Sequence, residues 1–568
     1  MRFYKGLIMA ILGCGQVFAT NLKAMDFGVR ADGKTDDGPA ILKMIEAARE
    51  RNGKAVRLIF PKDKVIYVAT GKDRYLFPLQ HTRNVTVDGG GSTFLLAPPI
   101  RMIDLKFAHK PVLRDFNVEY TVSMFIETII EAIGENGKYV DVKVLEQGET
   151  KNLGGPTKQD GEQWFGGFVW CENGEHPKAA RHYAVKGVEV LSEDEARIFI
   201  DGDSIPRNMR DNIQPGVTRF SVPRPGVAHR YGPGPMFKIH DAVNARLKNI
   251  AVWDAPWFTY SVYRCEGTCK FLNVDVVPKP GTDRWMAGCR DAFHVTGNRA
   301  KLIFDGCDTA GIGDDDYNFC ILSSVIQDVL SPTQIVIQQK FPIQYNPMRV
   351  GETLMVMDNE NSVVGSAKIA RYVEKPLKNG TPIVPGGHCP QVNIALEAPI
   401  QGLEKGLNVW SKEASNPDTT LKNCTATFSI RMQTSLKIDR CKFVCYNVSY
   451  GMSPRENNVE GPGPDFMCIT NSEFHIGRGA GYHANCAGAG PFARHRLQRV
   501  YIKNCTFRGP LDIVKARSIT LLNNQFHGDV NVRQYETLNM SGNTRDGKPF
   551  ALEARKNRIS VPKDTNRY

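Results

Sequence analysis

Four aspartates in two short motifs are the residues most able to do chemistry. Asp291 lies in CRDAFHV; Asp314, Asp315 and Asp316 lie in GIGDDDYN. Carboxylates that share a site cannot all ionise at their free pKa values, so at least one keeps a proton near neutrality. A protonated acid beside an ionised one is the pair that glycosidic bond cleavage requires: one protonates the leaving oxygen, the other activates water or attacks the sugar. The same cluster also suits a solvated acidic turn or a Ca²⁺ site, since hard cations take several carboxylate oxygens. Nearby Trp253, Trp257 and Trp285 can stack on sugar faces, and Arg284, Arg290 and His294 can donate to hydroxyls. Each of these alone is an ordinary packing or surface residue; their combination favours the catalytic reading.

Such residues meet only if the chain winds. The step from Asp291 to Asp314 is 23 residues. A short unit recurs along the chain: LKNIAVW from Leu247, FLNVDVV from Phe271, LIFDGCDT from Leu302, LKNCTATF from Leu421, IDRCKFVC from Ile438, ITNSEFHI from Ile469, IKNCTFRG from Ile502 and LLNNQFHG from Leu521. Asn249 and Asn273 are 24 residues apart, so the aspartate step is one repeat. Repeats with a turn former at a fixed place and no helical periodicity are stacked β units. The pattern predicts an all-β chain of parallel strands wound into a coil, with stacked Asn corners; an antiparallel sandwich is the alternative. Asp291 and Asp314 then fall on one face in neighbouring turns, with Asp315 adjacent.

Around this body the expected segments are a signal peptide at 1–19, a cap and first coils at 20–120, an inserted β-domain at 121–240, and central coils with the acids at 241–320. A second inserted β-domain follows at 321–410, and C-terminal coils at 411–568. Thr35, Asp36 and Asp37 can cap a short helix bearing Ile41, Leu42, Ile45 and Ala48. Both inserted stretches alternate apolar and polar residues between Gly/Pro turns, which suits small barrels or sandwiches.

Composition narrows the class. Of 568 residues, 42% are apolar and 23% charged, ordinary globular values. Outside the N-terminus no apolar run approaches the ~20 residues of a membrane span. The net charge of +12 is dispersed, without a Lys/Arg run or nucleic-acid motif. Arg2 and Lys5, the apolar stretch from Gly6 to Gly13, and Val17-Phe18-Ala19 predict export to the periplasm or beyond; Cys14 is placed for a lipid anchor in a bacterial outer membrane. The 14 cysteines form no paired CxxC set, which argues against zinc. Cys265 and Cys269 are spaced to bridge, whereas Cys424, Cys441 and Cys505 suit a packed core.

The opening FGVRADGKTDDGPAILKMIEAA resembles the N-terminal signature of pectin-lyase-like right-handed parallel β-helix proteins. APWF, VVPKPGTDRW, RDAFHV and GDDDYN, in this order, resemble the motifs of glycoside hydrolase family 110, exo-acting α-1,3-galactosidases. The tail segments SIRMQTSLKIDRCKF, EGPGPDFMCITNSEF and HRLQRVYIKNCTF are similar too, so the resemblance spans nearly the whole chain. It implies Asp314 as general acid, with Asp291 and Asp315 positioning and deprotonating water. It also implies an inverting reaction, with carboxyl groups about 6.5–9.5 Å apart. Trp257, Arg284, Trp285, Arg290, His294 and Asn318 would contact an oligo- or polysaccharide ending in α-galactose, with no cofactor and no metal. The sequence departs from that pattern at Asp316, Cys320 and Arg290, where a small residue, a histidine and a smaller residue are expected. Arg290 would favour an anionic substituent on the glycan. A polygalacturonase-type hydrolase, a lyase, and a non-catalytic glycan-binding β-helix remain as alternatives.

Overall fold

A computed structural model of the chain describes residues 19–552, apart from 52, 154–166, 174–175, 202–204, 206, 212, 225–233, 322, 340–347, 359–362, 374–390, 446, 451–463, 477–483 and 487–496. Cys14 and all but the last residue of the expected signal segment lie outside the described residues.

The helix runs over Gly38–Arg49 and buries Ile41, Met44, Ile45 and Ala48. Its first N–H, that of Gly38, is held by Asp36 Oδ1 at 3.0 Å. Asp37 is turned away: its carboxylate accepts from the N–H groups of Arg30 and Ala31 at 2.7 and 2.9 Å. Thereafter the chain winds as a right-handed parallel β-helix. Strands Phe237–His240, Tyr260–Tyr263, Phe293–Thr296, Tyr317–Cys320 and Ser429–Met432 stack in parallel, with Phe237, Tyr260, Phe293, Tyr317 and Ile430 level with one another. A second parallel ladder runs through Val112–Tyr120, Arg246–Val252, Thr268–Val276, Lys301–Asp305, Asp418–Lys422 and Leu436–Asp439. Parallel crossovers of this kind are right-handed because twisted strands pack back onto their sheet only that way.

The corner residues of the repeat make this winding. Asn249, Asn273, Asn423, Arg440, Asn471, Asn504 and Asn523 all hold φ between +51° and +55°. Asn tolerates that left-handed region better than most residues, and the stacked amides recover hydrogen bonds. Asn249 Nδ2 donates to Asp115 Oδ1 at 2.7 Å, Asn273 Nδ2 to Asn249 Oδ1 at 3.1 Å, and Asn504 Nδ2 to Asn471 Oδ1 at 3.1 Å. In LIFDGCDT the corner is Gly306, where a Cβ would lie 2.5 Å from Asn273 Oδ1.

Inside the coil, Phe237, Tyr260, Phe293 and Tyr317 stack face to face at centroid separations of 4.4, 4.9 and 5.2 Å. Each such pair adds about 0.5–1.5 kcal/mol beyond its buried area and penalises any slip of register. Cys265, Cys269, Cys307, Cys424, Cys441 and Cys505 are buried free thiols. The expected Cys265–Cys269 bridge is therefore absent; Cys265 instead donates to Ile239 O at 3.2 Å. Thiols in this core act as small apolar groups, and burial pushes those of Cys265 and Cys307 up.

Two further bodies interrupt the winding. Among the described residues, Phe125–Ile126, Thr128–Ile133, Tyr139–Val144, Gly167–Asn173, His176–Val190, Glu195–Asp201 and Arg219–Pro223 form an antiparallel sheet. Ser324–Ser331, Gln334–Gln339, Thr353–Met357, Val363–Val373, Gln391–Leu396 and Asn408–Ser411 form a closed barrel.

Candidate active site

The aromatic stack sets where the acids stand. Asp291 and Asp315 each precede a stacked ring, Phe293 or Tyr317, by two residues. Ala292 N donates to Asp315 O at 2.9 Å and Phe293 N to Asp316 O at 3.1 Å. That register puts Asp291 level with Asp315, not with Asp314 as the 23-residue step suggests; Asp314 is one position earlier on the upper coil. The turn between the motifs is tight at Gly311, with φ +66° and room for no Cβ, which would meet Trp285 O at 2.1 Å.

One oxygen from each of Asp291, Asp314 and Asp315 lies within 4.8 Å of the others. These oxygens are closer than the expected 6.5–9.5 Å between carboxyl groups, because Asp314 and Asp315 are consecutive on one coil and Asp291 stands on the adjacent rung, where strands are about 4.8 Å apart. Burial, then the like charges of Asp291 and Asp315, push Asp314 well above the usual carboxylate range; Arg431 and Arg290 oppose the shift. Asp314 is thus the acid of the three held most strongly toward its protonated form, while its neighbours have separate partners. Asp291 Oδ2 is 2.7 Å from His294 Nδ1, and the His294 ring stacks on Phe258 at 4.3 Å. Asp315 Oδ1 accepts from Ser429 Oγ at 2.7 Å, and its Oδ2 is 3.3 Å from Arg431 Nε. The Arg290 guanidinium lies over Trp257, 3.9 Å from the ring centroid.

Asn318 occupies the register position between His294 and Arg431, the two side chains that contact Asp291 and Asp315. It is 2% exposed, and its Oδ1 has no hydrogen-bond partner among the described residues. Such an acceptor is costly unless something else donates to it.

Arg284 and Trp285 are engaged elsewhere. Arg284 Nη1 and Lys279 Nζ pair with Glu119 at 2.9 and 2.8 Å. Glu127 Oε1 accepts from Trp285 N at 2.9 Å and Met286 N at 3.1 Å, and its Oε2 from Ser221 Oγ. Arg219, on the antiparallel sheet, covers the Trp285 ring at 4.7 Å. The loop bearing both residues is thus clamped by the sheet. Burial raises Glu127, and pushes Asp254 up to about 7.

The structure therefore brings together Asp291, Asp314, Asp315, His294, Arg290 and Trp257, places Asn318 among them by register, and ties Arg284 and Trp285 to a neighbouring clamp. Sequence reasoning missed Ser429, Arg431, Glu119, Glu127 and Asp254. Arg431 stands in the SIRMQTSLKIDRCKF segment, so a signal existed, but more than a hundred residues separate it from the acids. Three close carboxyls also have the donor set for a hard cation. Arg290 and Arg431, both acting on Asp314, would compete with one.

No family model matches the chain. It is homologous to proteins named α-1,3-galactosidase. It is 25% identical over 338 residues to α-1,3-galactosidase A of Shewanella woodyi, covering 54% of this chain and 52% of that protein. It is 23% identical over 460 residues to α-1,3-galactosidase B of Bacteroides thetaiotaomicron, covering 74% of this chain and 68% of that one. The chain thus spans about half the length of the first relative and two-thirds of the second. The resemblance read from the motifs is supported by these relatives. Among solved structures, an exopolygalacturonase from Thermotoga maritima matches at TM-score 0.36 and 9% identity, over 94% of each chain. A family 28 exopolygalacturonase from Yersinia enterocolitica matches at TM-score 0.36 and 9% identity, over 94% of this chain and 79% of that one.

Proposed function

We propose that this protein is an exo-acting glycoside hydrolase that removes terminal α-1,3-linked galactose from a glycan with inversion. The observation that carries the reading is the acid trio: one oxygen from each of three carboxyls lies within 4.8 Å of the others, and burial and two like charges push Asp314 well above the usual carboxylate range. Homology to proteins named α-1,3-galactosidase supports galactose as the sugar. Asp314 protonates the leaving oxygen. Asp291 and Asp315, one rung apart and each with its own partner, hold the attacking water between them and take its proton. The short spacing suits a water held by two carboxylates beside the acid, in place of a water spanning a wide cleft.

Asn318 accepts from a sugar hydroxyl, which satisfies its buried oxygen. Trp257 and Arg290 form a flat cationic wall, His294 donates from beside Asp291, and Arg284 and Trp285 line the rim from the clamped loop. The antiparallel sheet and the barrel are separate domains grafted on the coil, and the chain is exported. Mass spectrometry of the mature protein should show a start at Thr20 or an acylated Cys14; a chain that retains residues 1–13 would overturn export with processing.

The deciding experiment is hydrolysis of α-1,3-galactobiose followed by NMR of the first-formed sugar. β-Galactose is expected. An α-anomer would overturn inversion, and undiminished turnover by Asp314→Asn would overturn the acid assignment.

A further inference from the structure

Asp316 is a fourth carboxyl beside the trio, and the roles above leave it unused. It is fully buried. Its Oδ2 accepts from the backbone N–H groups of Phe428 and Ser429, at 2.6 and 2.9 Å. Its own N–H donates to Ser429 O at 2.6 Å. All these partners belong to the coil resumed after the barrel, 112 and 113 residues further along. The turn so held carries the two side chains that engage Asp315: Ser429, whose hydroxyl donates at 2.7 Å, and Arg431, whose Nε is 3.3 Å away. Ser429 opens the strand Ser429–Met432, so fixing its N–H also fixes where Arg431 begins.

We propose that Asp316 is a positioning residue: it fastens the turn at 428–429 to the catalytic coil and, through Ser429 and Arg431, fixes the orientation of Asp315. The inference rests on the hydrolase reading and deepens it. The coil resumed after the barrel is registered on the earlier one by strand pairing, Tyr317 to Ile430, and the turn that opens its strand needs a fastening of its own. Neighbouring coils are stitched by ladder hydrogen bonds and by corner amides a few tens of residues apart. Here the stitch must cross the barrel, and a buried acceptor that binds two adjacent N–H groups defines one position for it. A displacement of about 1 Å in a catalytic group costs on the order of 100-fold in rate. Substrate binding need not change with it, because the wall residues Trp257 and Arg290 lie on the earlier coils.

The test compares Asp316→Ala, Asp316→Asn and Ser429→Ala on α-1,3-galactobiose, with crystal structures of each. Asp316→Ala should lower kcat roughly 10- to 100-fold with KM within about twofold. Asp316→Asn keeps an acceptor oxygen at the same place and should stay within about threefold of wild type. Ser429→Ala removes only the hydroxyl and should lower kcat about tenfold, so the proposal can be judged even where Asp316→Ala fails to fold. In the Asp316→Ala crystal the contact between Ser429 Oγ and Asp315 should be broken. Unchanged kcat in Asp316→Ala or in Ser429→Ala, an Asp316→Asn variant as slow as Asp316→Ala, or an intact contact in the Asp316→Ala crystal would each overturn it. The crystallographic arm reads the positioning whether or not the galactoside is cleaved, and wild-type and Asp314→Asn turnover judge the hydrolase reading separately.

Discussion

Two groups of buried acids lie close together along the coil and are treated in opposite ways. In the clamp, Glu119 is matched by Lys279 and Arg284, and Glu127 by two backbone N–H groups and a hydroxyl. Each of these carboxylates meets two or three fixed donors, and the result is a loop held in place. In the trio, Asp291 and Asp315 have partners, but Asp314 faces chiefly two other acids. Matched donors give an acid a structural task; like-charged neighbours leave it a transferable proton. The same carboxyl chemistry serves as a bolt in one place and, on the hydrolase reading, as a proton donor in the other.

That contrast breaks most sharply at Asp314. Asp314→Asn should lower kcat by about 10²–10⁴ while the melting temperature stays within a few degrees, measured by galactose release and calorimetry. The clamp should respond the other way. Glu127→Ala strands the N–H groups of Trp285 and Met286 and should cost about 3 kcal/mol of stability in urea unfolding, with a larger rise in KM than fall in kcat.

A pH series sharpens the comparison further. Asp254 and Asp316 are each pushed up to about 7 by burial, above the value of 3.8 proper to an exposed aspartate. Between those values the folded chain binds protons that the unfolded chain does not. Their contribution to stability is complete below about pH 4 and is lost as pH rises through 7. Each group changes stability by up to about 1.4 kcal/mol per pH unit in that window. The melting temperature should therefore fall from pH 5 to pH 8, and Asp254→Asn should flatten the fall.

The smallest effect belongs to the corner ladder, where nothing catalytic is at stake. Asn504→Ala keeps a Cβ at φ +55° but loses the amide that makes that conformation tolerable and its bond to Asn471, and should cost about 1–2 kcal/mol. Asn504→Gly should cost less, as the natural glycine corner at Gly306 suggests.

The corners were legible because left-handed backbone narrows the choice of residue, so the same chemistry recurs as the same letter. The aspartates were legible because their 23-residue step nearly matches the 24 residues between the neighbouring corners Asn249 and Asn273. Counting between motifs put Asp291 and Asp314 in neighbouring turns with Asp315 adjacent; which of the two stands level with Asp291 is set by the stacked rings Phe293 and Tyr317. Ser429 and Arg431 could not be joined to the acids by counting, since a barrel lies between. Asp36 and Asp37 show the same limit at short range: both can cap a helix, and only the loop packed beside them decides which does. Cys265 and Cys269 are both buried free thiols, and spacing alone could not tell a packed pair from a bridged one.

The barrel also sets a schedule for biosynthesis. Asp315 and the hydroxyl that orients it are 114 residues apart in the chain. At about 5–20 residues per second, a ribosome needs roughly 6–23 s to supply the second after the first. Throughout that interval the growing polypeptide displays an acid-bearing rung with an open edge, and folding of the barrel is the event that delivers its cover.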